Sequence, residues 1–137
     1  MLENRPIDIT AVRGAYLELS AKHDLVFVEG AGGLLVPILR EYSFRDFAVD
    51  LNLAVILVAP NRLGVINHVL LTAESIASAG LQLALVILNE LDPEPSLASQ
   101  TNRSILEELL KVPLYLSPLQ NSDFSGAMKL LGLGGQR

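Results

Sequence analysis

Behind Pro6 and Asp8, apolar residues recur at Ile9, Val12, Tyr16 and Leu19, one face of a 3.6-residue period. The stretch closes at Lys22-His23, where cations suit a helix C-terminus, so a first amphipathic helix is predicted. At Leu25-Val26-Phe27-Val28 the period gives way to a short continuous apolar run, halted by Glu29-Gly30-Ala31-Gly32-Gly33. Runs without alternation suit a strand covered on both faces, and a buried parallel strand is predicted there. Ser43 can cap a short helix whose Phe44, Phe47, Ala48 and Leu51 share a face.

The second half repeats this grammar. Ala54 to Ala59 reads as a buried strand ending at Pro60, and Gly64 opens a helix from Val65 to Ala79 with Gly80 as its C-cap. Leu83 to Leu88 is a further strand, stopped by Asn89. After the breaker Asp92-Pro93-Glu94-Pro95, Ser96 or Ser99 can cap a helix carrying Ile105, Leu106, Leu109 and Leu110 as far as Val112-Pro113. Leu114-Tyr115-Leu116 is another strand; Ala127 to Leu131 is helix-compatible, and the chain ends Gly-rich. Strands alternating with single helices imply right-handed crossovers: an α/β fold, a parallel sheet of about four strands with helices on both faces. Neither a repeat nor a long linker divides residues 1–137, which read as a single domain. Ligands of such sheets bind beyond the carboxyl ends of the strands. Glu29 to Gly33, Pro60 to Asn67, Asn89-Glu90 and Pro118-Leu119-Gln120 are therefore expected to converge on one edge.

Composition narrows the functions. Half of the 137 residues are apolar, mean hydropathy is +0.42 and only 18% are charged. No apolar run approaches the ~18–20 residues of a membrane span, so the excess points to buried strands and to missing or partner-supplied cover. Net charge is −5 with scattered basic residues, which argues against nucleic acid. Cysteine is absent, removing disulfide and thiolate chemistry, and Met1 to Thr10 lack a signal-like apolar stretch, so a cytoplasmic address is expected.

Glu29, directly after an apolar strand, is the arrangement in which a rigidly held carboxylate can bind Mg²⁺ bridging nucleotide phosphates, while the adjoining glycines admit an anion to the backbone. The structural alternative is a strand-terminal acid before a tight turn. Gly64-Val65-Ile66-Asn67 sits at a helix N-terminus, where amides attract a carboxylate or phosphate, or simply begins a capped helix. Asn89 can read a base edge or satisfy a turn. His23 and His68 lack neighbours of zinc-site spacing, and no serine lies in a G-x-S-x-G elbow, which excludes the corresponding hydrolases.

Val28-Glu29-Gly30-Ala31-Gly32-Gly33, followed by Leu57-Val58, the run from Leu63-Gly64-Val65-Ile66-Asn67-His68 to Thr72, and Asn89-Glu90, resembles the dethiobiotin synthetases in order and spacing. The resemblance runs from Asn4-Arg5-Pro6-Ile7, which looks like a family loop, to about Gln120, and the LGxINHxLLT run is its most specific part. It implies a P-loop NTPase-like fold and an ATP- and Mg²⁺-dependent ligase that joins 7,8-diaminononanoate and CO₂ into a cyclic urea. A carbamate would attack the γ-phosphate before the second amine closes the ring. By resemblance Glu29 is the magnesium ligand, and Glu29, Gly30, Ala31 and Gly32 line the phosphates. Asn89 and Glu90 fall at the adenine-reading position, and Pro118, Leu119 and Gln120 match the last nucleotide loop with one residue fewer. Gly64, Val65, Ile66 and Asn67 correspond to the helix start that receives the substrate carboxylate across a homodimer.

The 137 residues contain no G-x-x-x-x-G-K-[ST]. The expectation is therefore a truncated fold carrying part of a site, inactive alone, without the phosphate-cradling loop, its lysine, and the strand that precedes them. A non-catalytic binding or regulatory module of the same ancestry is the alternative. An amide-forming relative of the cobyrinic acid type is disfavoured by Leu63 to His68 and by the lack of a glutaminase domain.

Overall fold

A computed structural model describes residues 7–94 and 96–133; the Asn4-Arg5-Pro6 part of the expected loop, Pro95 of the breaker and the Gly-rich end beyond Leu133 lie outside the described residues. The chain divides after Asn52 into two compact units.

In the N-terminal unit, helix α1 (Ile9–Ser20) starts where Asp8 accepts hydrogen bonds from the Thr10 and Ala11 amides at 3.0 and 3.1 Å. Lys22 pairs with Glu18 one turn back. The strand expected over Leu25–Val28 is not formed: no strand among the described residues pairs with this segment, and Phe27 is 61% exposed. A strand is completed by neighbours that take up its amides and carbonyls, and apolar β-branched composition cannot replace them. The next elements are a small antiparallel pair, β1 (Pro37–Leu39) and β2 (Tyr42–Ser43), absent from the sequence reading.

Helix α2 (Phe44–Asp50) follows at once and buries Phe47 and Ala48. Ser43 and Asp46 form a reciprocal capping box: the Ser43 hydroxyl oxygen accepts the Asp46 amide at 3.3 Å, while the Asp46 carboxylate accepts the Ser43 amide at 2.7 Å. The hydrogen bond from the Ser43 hydroxyl, ahead of that from its amide, holds the Asp46 carboxyl below the usual carboxylate range. Tyr42 donates to Asp50 at 2.6 Å, and Arg13 of α1 reaches the same oxygen at 3.0 Å. Burial, then the Asp50 bond, pushes the Tyr42 phenol up to about 12.

The C-terminal unit alternates β3 (Val55–Pro60), α3 (Val65–Ser78), β4 (Leu83–Asn89), α4 (Leu97–Leu109), β5 (Leu114–Ser117) and α5 (Ser125–Leu130). The strands form one parallel sheet in the order β3-β4-β5, three strands against an expectation of about four, the Leu25–Val28 segment accounting for the difference. Register aligns Leu57 with Val86 and Leu114, and Ala59 with Leu88 and Leu116, on one face. Val65, Val69, Ile66 and Leu70 of α3 and Leu106 of α4 close over that face as the main core.

The opposite face carries Ile56, Val58, Leu85, Ile87 and Tyr115 by alternation. Its cover is α5, where a Cβ on Gly126 would stand 2.8 Å from the Tyr115 ring. This accounts for helices on both faces, unequally: Leu85 is fully buried, whereas Val58 on the edge strand is 61% exposed. Caps fall largely where the sequence puts them. Gly64 (φ +91°) precedes α3 and Gly80 (φ +71°) follows its C-cap, both left-handed. Of the two serines offered for α4, Ser96 caps it, accepting the Ser99 amide at 3.2 Å.

Candidate functional site

The carboxyl ends of β3, β4 and β5 lie side by side, with Pro60 opposite Asn89 and Asn89 opposite Ser117. The ladder continues past the strands: the Asn61 amide donates to the Asn89 carbonyl at 2.8 Å, and the Glu90 amide to the Ser117 carbonyl at 2.9 Å. Asn61, only 4% exposed, uses its whole side chain. Its Nδ2 donates to Glu90 Oε1 at 2.7 Å and to the Ser99 carbonyl at 2.9 Å, while its Oδ1 accepts from Asn102 Nδ2 at 2.9 Å. Asn102, also buried, donates in addition to the Arg62 carbonyl at 3.2 Å. Among the described residues no buried side-chain nitrogen or oxygen lacks a partner, as burial of amides requires.

Arg62 and Gly64 lead directly into α3, which has no side-chain cap hydrogen bond. Val65 is part of the core and its amide is taken by the Arg62 carbonyl at 3.1 Å. Of the expected quartet Gly64, Val65, Ile66 and Asn67, Val65 thus has its side chain in the core. The Ile66 and Asn67 amides lie in the first turn of α3, where the N–H groups of a helix start attract anions in general, beside the exposed Gly64 and Asn67. The third expected segment, Pro118 to Gln120, is exposed beyond β5, and Gln120 takes a left-handed φ of +55°. The Asn121 amide closes the turn on the Pro118 carbonyl at 3.1 Å, and Asn121 Nδ2 bonds the Asp123 carbonyl at 2.6 Å. The Ser125 amide, then its hydroxyl, holds the Asp123 carboxyl below its ordinary range.

Three of the four sequence segments therefore share the sheet edge. The fourth, Glu29 to Gly33, belongs to the N-terminal unit, and its support by a preceding strand is corrected by the unpaired Leu25–Val28. Glu29, Gly30, Ala31 and Gly32 are all exposed. Gly32 adopts φ +87°, and a Cβ there would lie 2.9 Å from Val36 Cγ2; one on Gly30 would lie 3.2 Å from the Phe44 ring. The fold of the loop calls for glycine at Gly32, where φ is left-handed, whereas at Gly30 a side chain would only crowd the Phe44 ring. Among the described residues no cluster of three or more His, Cys, Asp or Glu could hold a metal by protein ligands alone. A single exposed carboxylate fits Mg²⁺, which commonly keeps waters and takes its remaining oxygens from a phosphate ligand.

Asn61, Ser99, Asn102 and Ser117 are the buried polar residues of this edge; Asn61 lies in the expected Pro60–Asn67 segment and Ser99 was offered as a cap, but none of the four was given a role at the site. Asn102 did carry a signal: it stands four residues before Leu106, on the helix face that turns inward. No helix among the described residues is long and apolar enough to cross a membrane.

The model of a family described as an AAA domain matches residues 1–120. An ATP-dependent dethiobiotin synthetase BioD of Akkermansia muciniphila is 41% identical over 123 residues, 90% of this chain and 58% of the relative. The protein of that name from Nitrosospira multiformis is 42% identical over 129 residues, 93% of this chain and 57% of the relative. That from Clostridium kluyveri is 35% identical over 117 residues, 82% and 48% respectively. The chain thus spans about half the length of the curated relatives it matches.

Proposed function

Because this chain belongs to the AAA domain family, in its P-loop NTPase-like dethiobiotin synthetase line, we propose that it carries part of the site of an ATP-dependent ligase of biotin synthesis. The substrates on this reading are 7,8-diaminononanoate and CO₂, joined into the cyclic urea of dethiobiotin. The observation that carries it is the shared sheet edge, where Asn89 and Glu90 flank the strand end adjoining the uncapped start of α3.

Each residue has a separate task on this reading. The Asn89 amide can pair with a base edge, with Glu90 beside it, and Pro118, Leu119 and Gln120 border the nucleotide. The Ile66 and Asn67 amides and the Asn67 side chain receive the substrate carboxylate, from the neighbouring subunit of a homodimer. The backbone of Gly30, Ala31 and Gly32 approaches phosphate, and Glu29 supplies one oxygen to Mg²⁺, which when bound screens the charge developing on the transferred phosphoryl group. The protein works in the cytoplasm with these small molecules.

In the natural gene product carrying this chain, Glu29→Gln is expected to abolish Mg²⁺-dependent ATP turnover without loss of folding. Asn67→Ala is expected to raise KM for the diamine more than KM for ATP. Unchanged kinetics in both variants would refute the assignment. The 137 residues assayed alone are expected to show negligible turnover, since they hold no phosphate-cradling G-x-x-x-x-G-K-[ST] loop. Loss of that turnover from the gene product as well would favour the reading as a binding or regulatory module.

A further inference from the structure

We propose that Asn61 is a positioning residue for nucleotide recognition, a clamp that holds Glu90 and Asn89 in place and is itself held by Asn102. The inference rests on Asn89 and Glu90 being the base-reading edge.

The clamp follows from the inventory of one side-chain amide. Asn61 has two N–H donors, spent on the Glu90 carboxylate at 2.7 Å and the Ser99 carbonyl at 2.9 Å. Its oxygen accepts from Asn102 at 2.9 Å. Turning the amide over would set Oδ1 against a carboxylate and a carbonyl and Nδ2 against the Asn102 donor, three repulsive contacts in a site nearly closed to water. One orientation is therefore fixed, and with it the place of the Glu90 side chain. The backbone carries the same constraint, since the Asn61 amide holds the Asn89 carbonyl at 2.8 Å.

Stability alone does not call for this arrangement. The segment Asn61-Arg62 joins two apolar elements, and an apolar pair of similar volume could fill the space between β3 and α4 at little cost. The amides instead fix three parts of the sheet edge together. Asn61 touches the residues after β4 and the first turn of α4, and Asn102 holds the Arg62 carbonyl two residues before Gly64 opens α3.

The test compares ATP with GTP as phosphate donor in the natural gene product carrying this chain, with melting temperature measured on each variant. Asn61→Leu is expected to raise KM for ATP about tenfold or more and to collapse the ATP/GTP preference, leaving kcat at saturation within about twofold. Asn102→Leu, which leaves Glu90 its Asn61 bond but loosens the amide's orientation and releases the Arg62 carbonyl, should move the preference in the same direction by a smaller factor. A general loss of structure would lower melting temperature and kcat without altering the preference between bases. An unchanged ATP/GTP preference in a folded Asn61→Leu variant overturns the clamp; where Asn61→Leu fails to fold, an unchanged preference in Asn102→Leu does so. Asn89→Ala separates this from failure of the underlying reading: if it too leaves base preference unaltered, the edge does not read the base.

Discussion

Two apolar runs of similar composition meet different fates. Leu25-Val26-Phe27-Val28 and Leu83 to Leu88 are both continuous, and both end at a polar residue followed by a loop. The second is the central strand of a parallel sheet, paired on both edges and with Val86 and Leu88 fully buried. The first pairs with no strand among the described residues and leaves Phe27 exposed. The N-terminal unit relies instead on polar closures: the Asp8 cap, the Ser43–Asp46 box and the Arg13–Asp50–Tyr42 cluster. The difference teaches that hydrophobic sequence supplies the capacity for a strand and a neighbour supplies the strand. Val58 makes the same point inside the better-packed unit, being exposed where β3 forms the edge.

The contrast breaks first at Leu88. It is fully enclosed between α3 and α4, so Leu88→Ala should cost about 2–5 kcal/mol, read as a fall in the urea midpoint with loss of amide protection across β3, β4 and β5. A loss under about 1 kcal/mol would mean that this core is loosely packed and that the two units differ less than their burial indicates. Next is Gly126→Ala. The added Cβ meets the Tyr115 ring at 2.8 Å, and the ring is also tied by its hydroxyl to the Asp123 carbonyl at 3.3 Å. The expected cost is about 1–3 kcal/mol, and Tyr115→Leu on the same background should recover part of it.

What could be read from the sequence follows the range of each signal. Helix starts at Asp8, Ser43 and Ser96, the glycines at 64 and 80, and the strands bounded by Pro60, Asn89 and Pro118 are written within a few residues, and all were legible. The hairpin of β1 and β2 was not, because its connection, Arg40-Glu41, carries none of the Asn-Gly or Asp-Gly chemistry that marks a tight turn. Within the site, Asn89 and Glu90 announced themselves by following a strand. Asn61 stood in the expected Pro60–Asn67 segment and Asn102 on the inward helix face, but their pairing could not be read, since they are 41 residues apart and meet through the packing of α4 against the end of β3. The reading of Glu29 as a rigidly held magnesium carboxylate borrowed its rigidity from a strand that the described residues do not build.

The N-terminal unit should respond most to loss of a polar closure. Ser43→Ala removes one half of the capping box and should cost about 1 kcal/mol, seen as faster hydrogen exchange in α2 with β3 to β5 unchanged. The same closure predicts an acid limb. Asp46 has a folded-state pKa below its unfolded value, so its contribution is present above the unfolded pKa and is lost as pH falls through the folded one. Protection of α2 should therefore drop on acidification in the wild type and change less in Asp46→Asn.

Phe27→Ser is the smallest effect and the sharpest check on the contrast. An aromatic side chain inside a sheet would cost about 3–5 kcal/mol to remove, whereas one left in water should shift stability by within about 0.5 kcal/mol. With Phe27 61% exposed, the second value is expected for the chain alone, from urea midpoints of the two proteins measured side by side. If the residues are instead covered when this chain meets a partner surface, the same substitution would stay silent in isolation and weaken only the assembled form. A loss of several kcal/mol in isolation would show that Leu25–Val28 is a buried strand after all, and the distinction between the two apolar runs would disappear.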